Sequence, residues 1–305
     1  MARHPVTAAP TSADLAERVL AEVRSAGVRS IDLQFTDVMG AVKTVTISAS
    51  GLADTIEHGT WFDGSSVESF ARTAESDMYL VPDLGTFRLL PWAGTPPTAR
   101  LLCTTRTPDG EPYPGDPRGA LVRAIDHARS LGFEYRIGPE IEFFLLRRRE
   151  DGQVEPMDGD RGGYFDFTTD ASVAVRQAMA SALAALGIEV NTVHHEVAAG
   201  QHEIDMSHSD ALKAADDVVT LRYTIKAIAQ QAGLFASFMP KPFIGRNGSG
   251  MHVHQSLRHL DGETAMADPR DQYGLSDVAK HFIAGQLHHA TGMCAVLAPI
   301  VNSYK

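Results

Sequence analysis

Four short stretches carry most of the residues in this chain that could do chemistry. They are Glu140-Ile141-Glu142, His194-His195-Glu196, Gln201-His202-Glu203 and Asn247-Gly248-Ser249-Gly250-Met251-His252-Val253-His254. Together they supply several carboxylate oxygens and an imidazole, the hard donor set that Mg2+ or Mn2+ takes when it holds a nucleotide phosphate. Singly each is ordinary. A lone pair of glutamates on a strand is most often a solvated face, and Asn-Gly is most often a hairpin turn. The weight lies in the four stretches occurring together.

Their spacing dictates which elements must position them. Glu140 and Glu142 lie in a β-rich run over 137–146. Side chains alternate along a strand, so both carboxylates point the same way, roughly 6–7 Å apart, close enough to serve two different ions. Ile141, Phe143 and Leu145 take the other face. Phe144 and Leu146 continue the glutamate face, which suggests a protected cavity. Glu196 and Glu203 flank Gly200 within β-rich sequence. A hairpin with a loop over 198–201 would set them directly opposite, about 5 Å apart. Facing carboxylates repel and raise one pKa unless a cation sits between them. Adjacent His194 and His195 must point opposite ways, whereas His252 and His254 share a face. The Asn247-Gly248-Ser249-Gly250 turn offers free backbone N–H groups to a carboxylate or phosphate. Arg147-Arg148-Arg149-Glu150 reads as a solvated turn, and His288-His289 as a polar helix face near the end of a helical pattern. The sequence has no phosphate-binding Gly-x-x-x-x-Gly-Lys motif and no arguable Ser-His-Asp or Cys-His arrangement.

The remaining composition sets the frame. A chain of 305 residues with 44% hydrophobic content can hold two domains. Its 27 basic and 38 acidic residues leave a net charge of −11. That balance speaks against nucleic acid or an anionic membrane as partner. The sequence has no apolar run long enough to span a bilayer, and residues 1–10 lack the apolar core of a secretory signal. Cys103 and Cys294 read as two free thiols in a reducing compartment, so the expected location is cytoplasmic.

Ser12 or Asp14 could cap a first helix that stops at Gly27. Strands are expected at 31–35, 42–47, 78–81 and 99–103, with a loop at 61–66 anchored by its aromatics. A segment rich in Pro, Gly and Asp over 107–117 marks a boundary. Beyond it, helices are expected at 118–131, 172–186 and 210–231, and strands at 135–146, 189–195, 202–206 and 251–257. The fold class is α+β, with domains at 1–107 and 114–305.

With these residues in view, the chain resembles a bacterial type I glutamine synthetase from about Val28 to Lys305. The matching stretches include Phe62-Asp63-Gly64-Ser65-Ser66, Glu75-Ser76-Asp77-Met78-Tyr79-Leu80, Gly138-Pro139-Glu140-Ile141-Glu142-Phe143-Phe144, Gly200-Gln201-His202-Glu203, Met239-Pro240-Lys241-Pro242 and Asn302-Ser303-Tyr304-Lys305. The resemblance implies a small β-grasp domain followed by a catalytic domain built on an antiparallel sheet flanked by helices. It implies that Glu142, Glu196 and Glu203 hold one Mg2+ or Mn2+, and that Glu140 and His252 hold a second. Asn247 and Gly248 would bind L-glutamate, and His254 and Ser256 would contact ATP. Asp63 would bind ammonium and take its proton across an interface in a homo-oligomer, a dodecamer in the family. The implied reaction joins ammonia to L-glutamate through a γ-glutamyl phosphate.

Two departures stand out. Ile141 replaces the family's usual proline, and Asn191 stands where an ATP-contacting glutamate is common. The family's remaining third, beginning with an arginine after the position of Lys305, lies outside the sequence, so the 305-residue chain by itself is expected to be nearly inactive. Other readings are a shortened non-catalytic paralogue and a γ-glutamyl ligase for another amine.

Overall fold

The computed structural model describes residues 11–67, 77–157, 159–160, 162–166 and 172–305. Residues 1–10, and positions 75–76 of the Glu75–Leu80 motif, lie outside that set. The chain divides into two compact units, Met1–Leu121 and Val122–Lys305.

The first unit opens with helix α1, Ser12–Ser25. Thr11, one residue ahead of the expected cap, starts it through a capping box. Its hydroxyl accepts from the Asp14 N–H, and the Asp14 carboxylate accepts from the Thr11 N–H. The chain leaves α1 at Gly27, whose φ of 68° suits a residue without a Cβ. Strands β1 (Ser30–Thr36) and β2 (Val42–Ser48) form an antiparallel hairpin around an Asp37 turn. A short helix α2 (Leu52–His58), unanticipated from sequence, precedes β3 (Thr60–Asp63). The expected loop at 61–66 is therefore a strand followed by a 3-10 turn, and the anchor is buried Phe62, while Trp61 is exposed. Strands β4 (Asp77–Leu89) and β5 (Thr98–Arg106) complete a sheet of order β2-β1-β5-β4-β3, with β1 and β5 parallel. Alternating Ile31, Leu33 and Phe35 pack with Val19 and Val23 of α1, Leu52 of α2, Leu80 and Leu101 in one core.

Helix α3 (Pro117–Ser130) follows the 107–117 segment. The second unit is organised by one long strand, β6 (Phe133–Arg148), joined by short β7 (Val154–Pro156). Then come α4 (Val173–Ala185), the hairpin β8 (Val190–His195) and β9 (Gln201–Met206), and the two-residue β10 (Ser209–Asp210). Helix α5 (Ala211–Gln231) is capped by the Asp210 carboxylate, and β11 (Leu234–Ser237), β12 (Met251–His259) and α6 (Asp277–Leu297) close the described order. Strand β6 pairs antiparallel with β9, β10 and β7 along one edge and with β12 and β11 along the other. Ile141, Phe143 and Leu145 are buried on one side of β6. Helices α4 and α5, with Met179, Leu183, Leu221 and Ile225 buried, pack behind the sheet. Three short strands, β7, β10 and β11, were not expected from sequence. Helix α6 runs on past His288 and His289 to Leu297, so those histidines are mid-helix and exposed.

Candidate metal and substrate site

The strand registers bring the acidic stretches onto one face. Across β6 and β12, Glu140 pairs with His252 and Gly138 with His254. Across β6 and β9, Glu140 pairs with Asp205 and Glu142 with Glu203. Across β9 and β8, Glu203 pairs with His194. Cross-strand partners share a face and side chains alternate. Glu140, Glu142, His194, Glu196, Glu203, Asp205, His252 and His254 therefore share one side of four neighbouring strands. One ligand atom from each of Glu140, Glu203 and His252 falls within 4.8 Å of the other two, as do atoms of His194, Glu196 and Glu203.

One expectation about this face is corrected. Glu196 and Glu203 are not directly opposed. The Glu196 N–H donates to the Gln201 carbonyl at 2.8 Å, so the loop covers 197–200 and His194 is the residue opposite Glu203. Gly200 enters the turn at φ 77°, and a Cβ there would lie 2.9 Å from the Leu145 carbonyl, so the tighter loop requires glycine. Glu196 still reaches Glu203 diagonally, and His194 Nε2 stands 3.3 Å from Glu203 Oε2 and Nδ1 3.7 Å from Glu196 Oε1.

The electrostatics differ from residue to residue. Burial and then the contact with Glu196 push the Glu203 carboxyl from 4.5 up to about 8, with Asp205 and Glu142 adding to the effect. Burial also raises Glu142, aided by the Glu196 charge. For Glu140 burial opposes the charge, but hydrogen bonds from His254 (2.5 Å) and His252 (3.1 Å) outweigh it and hold the pKa below the usual value. A carboxylate whose pKa two imidazoles lower, beside one whose pKa burial and a neighbouring acid raise, fits a cradle for divalent cations. The donor set is all oxygen and imidazole, with no thiolate, which suits Mg2+ or Mn2+.

His195 points the other way, as the alternation required. Its Nε2–H donates to the buried Asp160 at 2.9 Å, and the second Asp160 oxygen accepts the Gly200 N–H at 2.7 Å. His202 lies behind the sheet against Arg176 and Phe143. Asn247 is exposed on the turn before β12, and Gly248 is partly buried there. Ser256 is half-buried, in register with Arg136. Asp63 lies in the first unit, exposed, with its carboxylate accepting from the Ser65 hydroxyl (2.6 Å) and N–H (3.0 Å). Those two bonds, against slight desolvation, lower its pKa.

Sequence reading assigned no role to three residues here. Gln201 is 1% exposed and hydrogen-bonds Glu142. The Tyr164 and Phe165 rings lie with centroids 4.0 Å apart at a tilt of 50°, and both meet His194 edge-on at 5.2 and 4.9 Å. Phe165 has a φ of 66°, unusual for a bulky residue. Only the paired glycines Gly162-Gly163 hinted at a special backbone there.

A five-stranded unit and a second sheet bearing a row of carboxylates and imidazoles define a two-module protein with an acidic divalent-cation cradle. Residues 27–108 match the family described as glutamine synthetase, beta-Grasp domain, and residues 114–305 match glutamine synthetase, catalytic domain. The chain belongs to the glutamine synthetase family. It is 47% identical over 291 residues to a glutamine synthetase of Clostridium saccharobutylicum, with 95% of this chain and 66% of that protein aligned. It is 47% identical over 293 residues to one from Thermus thermophilus, covering 94% and 66%. The chain thus spans about two thirds of these relatives' length. A solved structure described as a GmaS/ADP complex superimposes with a TM-score of 0.87 at 31% identity, covering 94% of this chain and 66% of that one. A Plasmodium falciparum glutamine synthetase shares the fold, with a TM-score of 0.86 at 23% identity over 99% of this chain and 64% of that one.

Proposed function

We propose that the protein serves ATP-dependent ligation of ammonia to L-glutamate, giving L-glutamine through a γ-glutamyl phosphate. The observation that carries this reading is the one-sided array on β12, β6, β9 and β8. In it, Glu142, Glu196 and Glu203 would hold one Mg2+ or Mn2+, and Glu140 with His252 a second. Cations there would offset phosphate charge and polarise the transferring phosphoryl group. Asn247 and Gly248 bind the glutamate at the turn, and His254 and Ser256 face the nucleotide. His194, between Glu196 and Glu203, orients both carboxylates. Asp63, kept ionised by Ser65, attracts ammonium and accepts its proton. By family resemblance it does so for a neighbouring copy in a homo-oligomer, a dodecamer, in the cytoplasm. No helix among the described residues is long and apolar enough to cross a membrane.

Calorimetric titration of the 305-residue chain with Mn2+ tests this reading. Two bound ions are expected per chain, falling to one in Glu196→Ala. Failure of the chain to bind Mn2+, or binding that Glu196→Ala leaves intact, would remove it.

A further inference from the structure

Gln201 is buried at the start of β9, and its side-chain amide makes three hydrogen bonds to three different segments. Its Nε2 donates to Glu142 Oε2 at 2.9 Å and to the Gly248 carbonyl at 2.8 Å. Its Oε1 accepts the Ala198 N–H at 3.2 Å, which fixes the amide plane to the hairpin loop. We propose that Gln201 is a positioning residue that couples the Glu142 carboxylate to the 247–250 turn, so that a cation on Glu142 also orders that turn. This inference rests on the metal reading above.

The turn is mounted firmly on its far side. The Ser249 N–H donates to the Pro240 carbonyl at 2.7 Å, and a Cβ on Gly248 would lie 2.5 Å from that same oxygen. The 240–241 strap is itself held by Asn302, whose amide donates to the Lys241 carbonyl (2.9 Å) and accepts the Lys241 N–H (2.7 Å). Gln201 is the side chain that joins this mounted turn to a carboxylate of the cradle. Two donors on one nitrogen are required: glutamate at 201 would offer only acceptors to Glu142 and to a carbonyl, and methionine would leave the Gly248 oxygen without its donor. The backbone bond from the Glu142 N–H to the Gly250 carbonyl, 3.2 Å, aligns strand and turn but does not touch the carboxylate.

The test measures Mn2+ affinity by calorimetry and hydrogen exchange of the Gly248, Ser249 and Gly250 amides, in the 305-residue chain and in Gln201→Met. In the wild type, saturating Mn2+ is expected to slow exchange at these amides. In Gln201→Met the affinity should fall about 10-fold, as for other groups that orient a metal ligand, and the Mn2+-induced protection should vanish. The wild-type comparison needs no variant to fold. Mn2+ binding without protection of the turn overturns the coupling alone. Protection that persists in Gln201→Met assigns it to the backbone bond and overturns the role of the side chain. A wild-type chain that does not bind Mn2+ at all takes the metal reading and the coupling down together.

Discussion

Glu203 is the residue whose state most depends on what fills the cradle. Its pKa is pushed up to about 8, first by burial and then by its contact with Glu196. A carboxyl with a folded pKa above its ordinary value favours the fold while protonated. Its contribution is complete below the ordinary value near 4.5 and is lost as pH rises through about 8. The metal-free chain should therefore lose thermal stability between pH 5 and pH 8.5, as followed by circular dichroism. Glu203→Gln should flatten that slope. Because a bound cation takes the ionised form, Mn2+ binding at pH 7 should release about one proton, measurable by calorimetry in buffers of different ionisation enthalpy. Asp160 has the opposite sign. Burial works against its charge, but the bonds from His195 and Gly200 prevail and its pKa is lowered. Its contribution to the fold is present above the ordinary aspartate range and fades as pH falls through the depressed folded value.

At the level of elements, the β8–β9 hairpin delivers Glu196 and Glu203, and two contacts set its end. Gly200→Ala would force a left-handed residue and press a methyl onto the Leu145 carbonyl. A loss on the order of 1–2 kcal/mol in urea denaturation is expected, accompanied by weaker Mn2+ binding. Asp160→Ala would strip the acceptor from the Gly200 N–H and from His195, at about 1–3 kcal/mol. The alternation along β6 and β12 was legible in the sequence, because a period of two needs only the residue order. So were helices α3, α4 and α5, from their apolar spacing and their Gly or Asp boundaries. The register between β8 and β9 was not. Whether the loop spans 197–200 or 198–201 is decided by where Gly200 can turn left-handed and by Asp160, forty residues earlier. Strands β7, β10 and β11 were missed because each is two to four residues long and exists only through pairing with β6. Gln201 stood in a motif without a role, since a lone glutamine carries no periodic or charge signal; only the partners on either side of it give it meaning.

For the whole molecule, the division of labour follows the two units. Each proposed cation ligand lies in Val122–Lys305, whereas Asp63 lies in Met1–Leu121. Asp63→Asn should leave Mn2+ stoichiometry and affinity unchanged in calorimetry. A loss of metal affinity would place Asp63 in the cradle instead. The net charge of −11 adds a second property. An acidic surface repels polyanions at long range, so a cation held in the cradle would have to offset the field of these 305 residues before an anionic ligand could approach.

The sixteen residues of β6 leave one further mark. Nearly every part of the cradle is aligned by pairing to this single ribbon, so its chemistry is encoded in the ribbon's parity. Inserting one residue between Pro139 and Glu142 would turn acid toward the helices and oil toward the ligands, while insertions in the Glu150–Gln153 bend would pass unnoticed. Engineering of this scaffold is therefore free at its bends and forbidden an odd step along its spine.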